Sequence, residues 1–208
     1  MKKIISILAG ALFSVTAAFS QSISFDAVCK NLSSHPNMTG NFQQVKTIKA
    51  VNRSLKSSGT FIFSLEGIMW KTEKPFPSSL AVGKTSVIQT KADGSKTVID
   101  ASQNQIFASI SGTLVSLFSG DLEGLKKSFD VNYSCDGSTW KAELLPFDSA
   151  VKSVLSSLVV SGNCSASFSD LNQIVMTEAT GDTITYTFTD QKYPKELTDA
   201  EKAYFTAK

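Results

Sequence analysis

A single histidine, three cysteines and five prolines leave this 208-residue chain poor in the groups that most catalysis needs. The one histidine, His35, stands before Pro36, and no G-x-S-x-G elbow accompanies it, so a serine–histidine–acid triad has no support. Metal ligation needs several His, Cys or carboxylates at suitable spacing, and the sequence offers no such set. Gly-rich phosphate loops are missing too, since Gly67 and Gly83 fall in turns. Glu66 and Glu73 flank a strand and read as solvated side chains. The chain reads as a non-enzyme with no cofactor.

Charge of one sign is also lacking. Basic residues number 20 and acidic residues 18. They lack the clustering of Lys and Arg that counterion release from phosphates requires, which argues against nucleic acid. Long apolar runs are confined to the N-terminus, where Lys2 and Lys3 precede a 15-residue stretch from Ile4 to Ala18. That stretch falls short of the roughly 20 residues a membrane span needs. Ala18-Phe19-Ser20 then places small residues where a signal peptidase reads, so residues 1–20 read as a cleaved leader and 21–208 as one exported domain. No cysteine sits at the cleavage point, so no lipid anchor is expected. Loss of Lys2 and Lys3 brings the mature chain to 18 basic against 18 acidic residues.

Export sets the chemistry of Cys29, Cys135 and Cys164, because disulfides persist in oxidising compartments. Three cysteines cannot all pair within one chain, and none has C-x-x-C spacing. Cys29 lies on the stripe Phe25, Val28, Cys29, Leu32, which is the i, i+3, i+4, i+7 face of a helix against a core. A buried thiol there acts as a small hydrophobe. Cys135 and Cys164 are the better pair, although sequence alone does not fix their geometry.

What the chain does have is strand signal. After an amphipathic helix over 22–34, ended by His35-Pro36, extended segments run Asn41–Lys49, Ser57–Ser64 and Gly67–Thr72. Shorter ones follow at Ser78–Val82, Thr85–Thr90 and Thr97–Asp100, with Gly83-Lys84 and Asp93-Gly94-Ser95 as turns. Between Ser102 and Ser128 the period changes. Ile106, Phe107, Ile110, Leu114, Leu117, Phe118, Leu122 and Leu125 suit two short helices, with breaks at Gly112 and Gly120. Strands resume over Phe129–Cys135, Thr139–Leu145, Leu158–Ser161, Asn172–Glu178 and Thr183–Thr189. In the last, four threonines alternate with Ile184, Tyr186 and Phe188, so one face is wet and the other covered. Thr198 and Glu201 are spaced as a capping box for a short helix near the C-terminus. The fold class is mainly β with helices (α+β): a twisted antiparallel sheet with an N-terminal helix and an apolar helical insertion. The pattern leaves open whether the sheet encloses a packed core or a hollow half-barrel.

The stretch from Gly40 to Pro75 resembles the outer-membrane lipoprotein carrier (LolA-like) family. Gly40-Asn41-Phe42-Gln43-Gln44 is similar to the phenylalanine–glutamine signature that opens its first strand, and Gly59-Thr60-Phe61-Ile62-Phe63 is similar to its second. Trp70 followed by Lys74-Pro75-Phe76 resembles its third strand and turn, and the order of elements agrees over nearly the whole mature chain. The resemblance implies an incomplete antiparallel β-barrel with an apolar interior and a helical lid. It implies a periplasmic monomer that takes the acyl chains of lipoproteins, or another lipid, from an inner-membrane exporter to an outer-membrane acceptor. On that basis, strand alternation nominates Phe61, Phe63, Ile68, Trp70, Leu80, Val82, Ile184, Tyr186 and Phe188 as the cavity lining. Phe107, Ile110, Leu114 and Leu117 are nominated as the lid. One departure stands out: where the family places a proline and a gating arginine after the second strand, this chain reads Ser64-Leu65-Glu66-Gly67. No gating residue carries over, and a divergent subgroup with another lipid or glycolipid as cargo is favoured. The competing readings are a lipid-sensing or regulatory binding module with the same half-barrel, and a purely structural, adhesin-like β domain.

Overall fold

The computed structural model describes residues 22–83, 86–100 and 105–206, with 105–111 described as helix backbone alone. The leader read over residues 1–20, the Lys84 turn position and the strand start at Thr85 lie outside the described residues. The first helix, α1 (Phe25–Ser33), is capped by Ser24, whose hydroxyl accepts from the Ala27 N–H. Its stripe Phe25, Val28, Cys29 and Leu32 is buried throughout, as the spacing required.

Strands β1 (Asn37–Ile48) and β2 (Arg53–Ser64) form a long hairpin around the 3-10 turn Lys49–Val51, with Asn52 in the left-handed region. Both outrun the segments read from hydrophobic alternation. The added residues, 37–40 of β1 and 53–56 of β2, are mostly polar or glycine and are held by the ladder itself, in pairs from Asn37–Ser64 to Gly40–Phe61 and from Val45–Lys56 to Ile48–Arg53. The meander continues through β3 (Gly67–Lys74), β4 (Ser78–Gly83), β5 (Ser86–Lys91) and β6 (Lys96–Asp100). Then come α2 (Gln105–Ser119), α3 (Leu122–Ser128), β7 (Phe129–Asp136) and β8 (Thr139–Pro146). The chain finishes with α4 (Ser149–Lys152), β9 (Leu155–Asn163), β10 (Gln173–Glu178), β11 (Thr183–Lys192) and α5 (Asp199–Lys202).

One helical expectation is corrected, and one short helix had not been expected. Helix α2 does not break at Gly112. A Cβ there would meet nothing within 4 Å, so the residue faces open space, and glycine in a helix costs only about 1 kcal/mol. Burial of Leu114, Leu117 and Phe118 outweighs that. The break comes at Gly120, whose positive φ of 73° ends α2 before Asp121 caps α3. The single turn α4 has no periodic signal to reveal it. It rests on Asp148, whose carboxylate accepts from the Val151 N–H.

Among the described residues, eleven strands join one antiparallel sheet in the order β6-β5-β4-β3-β2-β1-β11-β10-β9-β8-β7, with β6 and β7 as its unpaired edges. Seven steps separate β6 from β10 in that order, about 34 Å along a flat sheet. Yet Ile99 of β6 and Ile174 of β10 border the same hollow. The sheet is therefore strongly curled without closing into a barrel.

Each face has its own cover. On the convex side Ile62, Met69, Ala81 and Ile88 pack under Leu197, Tyr204 and Phe205 of the C-terminal segment. That segment is set by the capping box in which the Thr198 N–H donates to Glu201 and the Glu201 N–H donates back to the Thr198 hydroxyl. On the concave side lie α1 and α2. Burial on both faces explains why Phe61, Ile62 and Phe63 are consecutively buried rather than alternating.

Candidate functional site

The cross-strand register assembles the concave face row by row. Phe61 lies opposite Trp70, Trp70 opposite Leu80, and Leu80 opposite Gln89. One row towards the β2–β3 turn, Phe63, Ile68, Val82, Val87 and Ile99 face one another in succession. On the other side of β1, Phe42 lies opposite Phe188 and Gln44 opposite Tyr186, which in turn faces Ile174. All nine residues nominated for the lining therefore point to the inner side of the curl.

They do not all border empty space. Phe61, Phe63 and Phe188 form a packed aromatic cluster with centroids 4.7 to 5.3 Å apart, and Phe118 of α2 adds a fourth ring 5.5 Å from Phe63. Ring pairs at these distances gain about 0.5–1.5 kcal/mol each beyond simple burial. Ile68 is buried in the same core, and Val82 packs with Val87, Leu80 and Ile99. At this end, α1 and the C-terminal half of α2 fill the curl with side chains.

Nearer the β3–β4 turn the filling stops. A hollow of about 290 Å³ opens there, bordered by Trp70, Leu80 and Tyr186 from the nominated set. Phe42, Val87, Ile99, Ile174 and Met176 complete its apolar wall, Leu114 of α2 roofs it, and Gln44, Thr72, Ser78 and Gln89 supply polar atoms. No charged side chain is among the described residues that border it. A dry cavity of about half that volume binds benzene, and small-ligand pockets start near this size. Half-buried Ile184 sits one row beyond Tyr186, paired with Lys46 and Met176. There the Lys46 ammonium donates to Glu178 at 2.8 Å.

Of the nominated lid, Leu114 and Leu117 are fully buried against the sheet. The side chains of Phe107 and Ile110 lie outside the described residues. A larger recess of about 570 Å³ between α2, α3 and α4 is a trough of mixed character, in which Lys127, Ser128 and Asp148 lie beside Leu125, Phe129 and Val151. We therefore take the smaller hollow as the site.

Phe42, Ile174 and Met176 escaped the sequence reading, though one signal was present. Once β11 is known to pair with β1, the parity of Tyr186 and Phe188 marks Phe42 and Gln44 as inner residues. Ionisable groups in this interior are held neutral. Burial pushes the Tyr186 hydroxyl up to about 12 and the Cys29 thiol up to about 12. Cys135 and Cys164 adjoin with sulfurs 3.4 Å apart as free thiols. Burial, aided by the contact with Cys135, pushes Cys164 up to about 11.

Sheet and hollow together define a class: an open antiparallel half-barrel, covered by helices, with an unfilled apolar interior. The family described as outer membrane lipoprotein carrier protein LolA matches residues 33–205, and the chain belongs to it. Among solved structures, a DUF1329 family protein from Desulfovibrio piger is similar with a TM-score of 0.51 and 11% identity, covering 88% of this chain and 95% of that one. A LolA superfamily protein from Nitrosomonas europaea has a TM-score of 0.45 and 11% identity, covering 85% and 94%. Identities this low speak to the fold alone. No curated protein matches the chain in sequence. Among the described residues, no helix is long and apolar enough to cross a membrane.

Proposed function

We propose that this protein is a periplasmic carrier that takes acyl chains of a lipoprotein, or of another lipid, into the hollow and shuttles them between the inner and outer membranes. One observation carries the reading: the concave face is apolar and partly empty, where a purely structural sheet would be filled. Family membership supports it. Each methylene moved from water into such a space gains about 0.8 kcal/mol, so one chain of moderate length is held without any specific contact. The volume suits a single chain segment. A multi-chain lipid requires α2 to lift from the sheet.

In this reading residues 1–20 direct export, and 21–208 act as one monomeric domain without catalytic activity. An inner-membrane exporter loads it and an outer-membrane acceptor unloads it. Trp70, Leu80 and Tyr186 contact the chain first. Phe61, Phe63, Ile68, Val82, Ile184 and Phe188 join the lining only as α2 moves, with Phe107, Ile110, Leu114 and Leu117 as its inner face. Cys135 and Cys164 form a disulfide in the oxidising compartment. Native mass spectrometry of protein purified from its own periplasm tests the reading. A co-purifying lipoprotein or lipid is the expected result, and a uniformly ligand-free species that also refuses added lipid overturns it.

A further inference from the structure

The hollow is not uniformly greasy. Trp70 of β3 and Tyr186 of β11 approach across it with ring centroids 5.8 Å apart, and each carries a polar atom. The Trp70 indole N–H is sealed from water and meets no acceptor among the described residues. The other tryptophan makes the contrast plain. Trp140 is the more deeply buried of the two, yet it donates to the Asp170 carbonyl at 2.9 Å. The fold provides for one indole and leaves the other, in a residue that borders the apolar hollow, without an acceptor. Buried donors are rarely left so, because the lost hydration is not recovered.

Three kinds of chain terminus or linkage could meet this donor. A carboxylate or phosphate would arrive in a space whose described lining holds no Lys or Arg, and an uncompensated buried charge is strongly disfavoured. A bare hydrocarbon would leave the indole N–H unpaired. A neutral carbonyl satisfies the donor and brings no charge with it. Resting on the carrier reading above, we propose that the site selects acyl chains by their neutral ester or amide linkage, with Trp70 Nε1 donating to the linkage carbonyl. Tyr186 lies alongside as a second donor, held in its protonated form by burial. Ligand contact with the indole requires a small displacement of the side chains around it, since the N–H is closed off.

The test uses the full mature chain, stripped of lipid, with three probes of one chain length: methyl decanoate, N-methyl decanamide and sodium decanoate, each carrying a 13C carbonyl. Infrared difference spectra read the hydrogen bond directly, and calorimetry reads the affinity. The expected result is a lowered carbonyl frequency on binding of ester or amide, with the carboxylate binding weakest. The stronger shift of the two neutral probes identifies the linkage preferred. In Trp70→Phe the ring remains but the donor is gone. Its carbonyl band moves back towards the unbonded position, keeping only the part of the shift that Tyr186 supplies, and affinity for the neutral probes falls about tenfold. An unshifted carbonyl in the wild-type complex, which needs no variant, overturns the proposal while the carrier reading survives. So does tighter binding of decanoate than of its ester. If no probe binds, the carrier reading falls as well.

Discussion

Phe63→Ala separates the filled end of the curl from the empty one. Phe63 is 1% exposed and touches the rings of Phe61, Trp70, Phe118 and Phe188 at 4.8, 5.8, 5.5 and 5.3 Å. Truncating such a side chain leaves a cavity the surroundings only partly close, at a cost of about 4 kcal/mol. That is a large fraction of the stability of an ordinary domain, and for a chain of this length it lowers Tm by roughly 8–16 °C. Urea unfolding followed by the fluorescence of the two tryptophans measures it, with the slope of the transition unchanged. The same truncation loosens Phe118, the ring through which α2 grips the cluster. It also adds space beside the hollow, so uptake of methyl decanoate is retained or strengthened while stability falls. A loss below about 1 kcal/mol would refute the reasoning, since it would mean that this end of the concave face is not solidly packed.

Leu80→Trp is the converse experiment. The larger side chain occupies the hollow, so acyl binding measured by calorimetry is abolished while stability stays within about 1 kcal/mol, the overpacking strain being absorbed by existing space. Oxidation should join Cys135 to Cys164, read as a 2 Da mass loss by mass spectrometry (~2 Da for two hydrogens). Their separation of 29 residues predicts a gain of roughly 3–4 kcal/mol over the reduced form, absent in Cys135→Ser. Alkaline titration should show stability falling from about pH 10 to 12. The folded-state pKa of Tyr186 is raised, so its contribution is complete below the ordinary tyrosine pKa and is lost as the pH climbs through the raised one. Tyr186→Phe flattens that part of the curve; an unchanged slope contradicts the burial argument.

Much of this architecture was legible in the residues, for reasons that differ from place to place. The strand Thr183–Lys192 announced its inner face because threonine alternates with Ile184, Tyr186 and Phe188, and a one-residue slip would bury the wrong set. The α1 stripe and the Thr198 capping box were legible because each is a local spacing rule satisfied within one turn. Gly112 misled because a helix breaker is only a modest local cost, overridden when neighbours such as Leu114 and Leu117 are buried. The extra length of β1 and β2 was hidden because polar residues such as Asn37, Thr39 and Ser54 are held by pairing rather than burial. The site was half visible. Strand parity put the nine nominated side chains on one face, but whether a side chain on that face meets Phe118 or empty space depends on where α2 comes to rest. No periodicity encodes that.

The unpaired edges of β6 and β7 have a mechanical consequence. In a closed barrel, strand number and shear fix the radius, and any widening must rupture interstrand bonds. Here the two margins are free to separate, so the curl can relax or tighten like a split ring while every ladder from β6 to β7 stays intact. The girth of the interior is then governed by side-chain contacts alone, and it can change without altering the backbone hydrogen-bond network.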